Sequence, residues 1–117
     1  MPNMVAVEIA ERLEPFVRPL RARRPETPIL VVEDRTYQDA FLLGSHIRRT
    51  RSGRRRCARP YDRLVAAGVT SLQFLAGANQ LGDDGEATVD GSHPTDLGFV
   101  RQADVFAGAI VPLLRAR

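Results

Sequence analysis

Val5, Ile9, Leu13, Phe16 and Leu20 recur at three- and four-residue spacing, which places them on one face of a helix over residues 4–23. Pro15 and Pro19 fall inside that pattern, and because proline lacks the N–H that helix bonding needs, a kink or a restart is expected there. Arg21, Arg23 and Arg24 suit the helix C-terminus, where the exposed carbonyls favour cations. Beyond a turn bracketed by Pro25 and Pro28 the pattern changes to Ile29-Leu30-Val31-Val32. A short, continuous, β-branched run between breakers is the pattern of a strand buried on both faces, as in a parallel sheet. Polar Glu33-Asp34-Arg35 follows at its carboxyl end, where α/β folds place their sites.

Residues 61–67, closed by Gly68, read as a second helix, and residues 69–75 as a second strand. Gly77 to Pro94 is rich in Gly, Asp and Asn and reads as a long loop, of the kind that in a compact domain is usually functional or disordered. The apolar set Leu97, Val100, Ala103, Phe106, Ala107, Ile110, Val111 and Leu114 predicts a last helix over residues 95–114. The order is helix, strand, helix, strand, helix, an α/β pattern with a parallel sheet and right-handed crossovers. Two parallel strands are too few for a stable sheet core, so further strands are expected from a partner chain or an N-terminal half.

At 117 residues and 44% hydrophobic content, one domain with a modest core is expected. No segment approaches the ~18 uninterrupted apolar residues of a membrane helix. Met1-Pro2-Asn3-Met4 lacks the basic start and apolar run of a secretion signal, so the cytoplasm is the default expectation. Cys57 is the single cysteine, which excludes an internal disulfide and a thiolate metal cluster.

All 17 basic residues are arginine, a bias that high genomic GC content produces without functional selection. Eight of them lie between Arg48 and Arg63, a density that could neutralise phosphates. Little aromatic interleaving accompanies them and no binding motif is recognisable, so a solvated loop is the favoured reading and a nucleic-acid partner is not expected. Asp83-Asp84-x-Glu86 fits no cation-binding spacing and reads as a solvated acidic turn. Cys57 has no paired histidine and reads as a plain loop cysteine.

Asp90 and His93 carry the chemistry. Three positions apart in a turn, the carboxylate can accept the imidazole Nδ1–H and leave Nε2 free as a general base. Pro94 suits the first position of the helix that follows. A solvated loop pair would have the same spacing. The phrase Thr88-Val-Asp-Gly-Ser-His-Pro-Thr-Asp-Leu-Gly-Phe99, however, resembles the last conserved block of the SGNH, or GDSL-like, esterase and lipase superfamily. Pro28-Ile-Leu-Val-Val-Glu-Asp-Arg-Thr-Tyr37 looks like the central strand of one bacterial branch of it.

The resemblance implies a three-layer α/β/α, flavodoxin-like fold and a serine ester hydrolase acting on a small-molecule ester. It implies His93 as general base, Asp90 as its orienting acid, and Asn3, where this branch has its third block, as an oxyanion donor. No metal or organic cofactor is required. The superfamily's nucleophile stands in a Gly-Asp-Ser motif that precedes the asparagine block, and none of Ser45, Ser52, Ser71 and Ser92 has that context.

Residues 1–117 are therefore expected to be the C-terminal portion of a single SGNH hydrolase-type domain, with its N-terminal strands missing and no activity alone. Missing strands leave an exposed sheet edge, which predicts self-association. Two other classes stay open: a catalytically inactive remnant that serves as a binding or assembly module, and an arginine-driven nucleic-acid binder.

Overall fold

The computed structural model describes residues 6–39, 42 and 58–115. Helix α1 spans Ala6–Arg23, strand β1 Ile29–Val32, strand β2 Leu72–Leu75 and the long terminal helix α3 Asp96–Arg115. Residues 58–66 between the strands are helical and form α2. The α/β order expected from the periodicity is present, and β1 and β2 pair in parallel from Ile29↔Leu72 to Val32↔Leu75. By contacts the described residues divide into two compact units, one within Met1–Asp34 and Ser52–Leu75, the other within Arg35–Arg51 and Ala76–Arg117.

The first unit holds the parallel pair. Leu13 and Val17 of α1, Val31 of β1, Leu64 of α2 and Leu72 of β2 form its core, with Ile29, Tyr61, Val69 and Phe74 packed around them. The Tyr61 and Phe74 rings lie 5.3 Å apart, and the Tyr61 hydroxyl donates to the Leu72 carbonyl at 3.2 Å, so the phenol's polar end is satisfied.

Two expectations about α1 need correction. The helix runs unbroken through Pro15 and Pro19. Both prolines sit on its exposed side, so the missing N–H groups and ring crowding fall where the backbone can bend toward water. The buried face is Ile9, Leu13 and Val17, one turn apart each, whereas Phe16 and Leu20 are exposed. The C-terminal end is held as its arginines suggested. Arg21 donates to the carbonyls of Arg24, Pro25 and Thr27 at 2.7, 2.8 and 2.7 Å, and to that of Ser71 at 3.1 Å. Gly68, at φ +79°, ends α2 in a Schellman turn: Gly68 N–H donates to Val65 and Val69 N–H to Leu64.

In the second unit α3 has the length and apolar composition to cross a membrane, although Arg101 and Asp104 interrupt any purely apolar run. Its first turn is tied to the loop before it. Gly98 is buried, and a Cβ there would collide with the Ala87 carbonyl. Arg101 forms a two-pronged ion pair with Asp84 and also donates to the Leu81 carbonyl at 2.8 Å. Asp84 is thus pinned by a guanidinium rather than simply solvated, and its carboxyl is held well below the usual range by Arg101 first and the Glu86 N–H next.

Leu64 has no exposed surface, so Leu64→Ala deletes fully buried methyls from the first unit. The substitution should lower stability by about 3 kcal/mol, read from the urea midpoint by far-ultraviolet dichroism.

Candidate active site

The loop from Gly77 to Thr95 contains no strand of its own, yet it is closely packed. Leu81 and Ala87 are buried in it, as is Gln80, whose amide donates to the Ala76 carbonyl at 3.2 Å. Its last stretch folds back on itself. Thr88 and Pro94 form an antiparallel bridge, Val89 N–H donates to the His93 carbonyl at 2.9 Å, and Thr95 N–H donates to Ala87 at 3.0 Å. Pro94 is therefore the bridge partner of Thr88 and not the first residue of α3, as its sequence position had suggested. Thr95 is the N-cap: its hydroxyl accepts the Gly98 N–H at 3.2 Å and donates to the Glu86 carbonyl at 3.1 Å.

Asp90 and His93 occupy the tip of this fold-back. One carboxylate oxygen, Oδ1, accepts the backbone N–H groups of Ser92 and His93 at 3.0 and 2.8 Å. The other, Oδ2, lies 2.7 Å from His93 Nδ1. An Asx turn of this kind needs the chain to reverse at the next residue, and Gly91 does so at φ +81°. Here a Cβ would also displace the Asp39 carboxylate, so the backbone conformation favours glycine and the crowding adds to that preference.

These hydrogen bonds hold the Asp90 carboxyl well below the usual carboxylate range, the His93 N–H contributing most, the His93 ring next and the Ser92 N–H third. At neutral pH the group is then an acceptor only. A nitrogen 2.7 Å from such an oxygen must carry the proton, so in the neutral imidazole Nδ1 is protonated and the lone pair sits on Nε2. Both side chains are largely exposed, 74% for His93 and 53% for Asp90, which leaves Nε2 accessible.

Of the other residues singled out by sequence, Ser92 follows Asp90 in the turn, and its hydroxyl accepts from Arg35 at 3.3 Å. Ser71 belongs to the first unit, at φ +52° where the chain enters β2. Asn3, Ser45, Ser52 and Cys57 lie outside the described residues, as do His46 and the arginines of the cluster except Arg59 and Arg63. Arg63 donates to the Ala10 carbonyl at 3.2 Å on α1. Among the described residues no group of three or more His, Cys, Asp or Glu side chains could hold a metal ion, and Asp83-Asp84-x-Glu86 is not such a group.

Sequence reasoning missed Arg35 and Gln38. Arg35 Nε donates to the Ser92 carbonyl at 2.6 Å, and the Gln38 backbone N–H donates to Gly91 at 3.0 Å. The polar stretch just past β1 marked the neighbourhood; nothing in the spacing revealed that it reaches a loop more than fifty residues on.

The chain matches the model of the GDSL-like Lipase/Acylhydrolase family over residues 1–111. Among solved structures, a protein of Bacteroides ovatus ATCC 8483, described as a GDSL-like lipase, is similar with a TM-score of 0.91 at 32% identity, over 97% of this chain and 34% of that one. The chain thus spans about a third of that protein's length. No curated protein matches.

The depressed Asp90 carboxyl has a signed pH consequence. Its contribution to the turn is complete above the ordinary carboxylate value of about 4 and is lost only as pH falls toward the lower folded value. The acid-side step in the carboxyl carbon shift of Asp90 should therefore have its midpoint below the ordinary carboxylate value of about 4. A carbon-13 NMR titration checks this; a midpoint near the ordinary value would contradict it.

Proposed function

The chain belongs to the GDSL-like lipase/acylhydrolase family, and on that premise we propose that it supplies the general base and orienting acid of a serine ester hydrolase. One observation carries the reading: His93 Nδ1 meets the Asp90 carboxylate at 2.7 Å with Nε2 left exposed. In the first step Nε2 takes the proton of a serine hydroxyl as its oxygen attacks the acyl carbon of an ester. The imidazolium is stabilised by the Asp90 carboxylate, which takes no proton itself. The carbonyl oxygen becomes an oxyanion held by N–H donors, for which Asn3 is the side-chain candidate. Collapse breaks the ester C–O bond, and Nε2 returns the proton to the departing alkoxide. Water then attacks the acyl-serine, again deprotonated by Nε2, and the acid leaves as serine regains its proton.

The nucleophile, in this proposal, lies outside residues 1–117, which form the C-terminal portion of the hydrolase domain. Two facts support this. The Gly-Asp-Ser sequence occurs nowhere in the chain, and the Ser92 hydroxyl is engaged by Arg35 in the turn. The ester itself is proposed only as a class, a small carboxylic or acetyl ester. Self-association is proposed from surface chemistry in the second unit: Leu97, Phe99, Val100 and Leu114 of α3 are exposed, and such apolar surface favours association.

The test is hydrolysis of p-nitrophenyl acetate. The 117-residue chain alone should turn over no faster than its His93→Ala variant. Co-expressed with a nucleophile-bearing N-terminal segment of the family, it should gain turnover that falls on the order of 10⁴-fold in Asp90→Asn. Robust hydrolysis by the chain alone, abolished by His93→Ala, would overturn the assignment of the nucleophile; failure of the complemented protein to hydrolyse any of a panel of esters would overturn the hydrolase reading. In sedimentation velocity the chain alone should self-associate, and a monodisperse monomer would contradict the proposed partner surface.

A further inference from the structure

The Asx turn fixes the His93 ring relative to Asp90, but by itself it does not fix where the pair points. Three consecutive backbone carbonyls at the tip decide that, and each is held from a different place. His93 O accepts from Val89 N–H at 2.9 Å, within the fold-back. Gly91 O accepts from the Gln38 N–H at 3.0 Å. Ser92 O accepts from Arg35 Nε at 2.6 Å, and this is the one bond of the three made by a side chain. The same guanidinium reaches the Ser92 hydroxyl through its NH2 group at 3.3 Å. Gln38 adds a second layer. Its side-chain oxygen accepts the Ala87 N–H at 3.1 Å and the Thr88 hydroxyl at 3.2 Å, at the base of the fold-back.

We propose that Arg35 is a positioning residue for the Asp90–His93 pair, acting through Ser92 to set the direction in which Nε2 is presented. This rests on the general-base reading of His93. The fold-back is bridged at its base by Thr88 and Pro94, so an untethered tip can rock about that bridge. A planar guanidinium that engages the carbonyl and the hydroxyl of one residue with two N–H groups fixes an orientation as well as a distance. A lysine ammonium offers a point charge on a flexible stem and cannot reproduce that geometry. A general base works only within hydrogen-bond reach of the proton it takes, so small errors in the direction of Nε2 lower the rate without changing the chemistry of the ring.

The test is backbone ¹⁵N relaxation on the 117-residue chain, on Arg35→Ala and on Arg35→Lys. In the unsubstituted chain the N–H vectors of Ser92 and His93 should have order parameters near the rigid value of about 0.85. In Arg35→Ala they should fall toward about 0.6, with Arg35→Lys in between, while the amides of α3 and of residues 80–87 stay unchanged. Unchanged order at residues 91–93 in a folded Arg35→Ala overturns the proposal, and so does loosening that spreads evenly through α3, because that is a general structural role. Should Arg35→Ala not fold, Arg35→Lys carries the same test, and full rigidity at the tip in that variant is the overturning result. The readout needs no turnover. If the ester-hydrolase reading fails while the tip loosens as expected, the two ideas separate cleanly.

Discussion

The Asp90 carboxylate accepts three hydrogen bonds from within the next three residues, and the arrangement of the whole site depends on it. Two go to backbone N–H groups and close the turn; the third goes to the imidazole and fixes its tautomer. The demands on sequence are severe. The acceptor must be a short side chain with two oxygens, since one oxygen is used by the backbone and the other by the ring. A glutamate would carry its carboxylate one bond too far to close the same turn, and an asparagine would offer the ring a donor where it needs an acceptor. The residue between must take a positive φ, which favours glycine, and a Cβ there would displace the Asp39 carboxylate.

Exposure decides what this pair is worth. An ion pair in water stabilises a fold by little, so the contribution of the Asp90–His93 contact to folding is small and its value lies in orientation. Stability comes from other places. In the first unit it comes from apolar burial around Leu13, Val17, Val31, Leu64 and Leu72. In the second it comes from satisfying a long polar loop: Gln80, Thr95 and Arg101 each donate a side-chain hydrogen bond to a backbone carbonyl, and Gln102 donates to the Gln80 side-chain oxygen. A loop so rich in polar backbone stays ordered only when its donors and acceptors find such partners.

Much of this was legible in the sequence, and the remainder has physical reasons for being hidden. Ile29–Val32 reads as a strand because a β-branched run between breakers has few alternatives, although only Val31 of it is buried, and Gly68 reads as a stop because the Schellman turn requires a left-handed residue. Local spacing permits the contact of Asp90 with His93 but equally permits a solvated loop pair, so it is the resemblance of residues 88–99 to a known block that singles the two residues out. Local rules misled at Pro15 and Pro19, where the penalty of proline is softened by facing solvent, and at Phe16 and Leu20, where a spacing of three or four leaves two adjacent stripes to choose between. Pro94 misled for a different reason: the Thr95 hydroxyl is the better cap, and it shifts the start of α3 by two residues from where proline alone would set it. Arg35 and Gln38 lay beyond reach altogether, because their partners are set by topology and no periodicity records a bond across fifty-seven positions.

The same contrast bears on catalysis. A base held by local bonds keeps its tautomer even in water, but electrostatic stabilisation of an oxyanion or an imidazolium is strong only where water is excluded. With His93 at 74% exposure, the Asp90–His93 pair as it stands has the right proton on the right nitrogen and lacks the low-dielectric surroundings that would make it powerful. Orientation and environment are thus separable in this fold. The turn, with the Arg35 tether proposed above, supplies the first, and whatever surface comes to cover Nε2 must supply the second. On the proposed hydrolase reading, an ester bound against that face would itself displace water from the imidazole, so substrate binding would supply the surroundings that the turn does not.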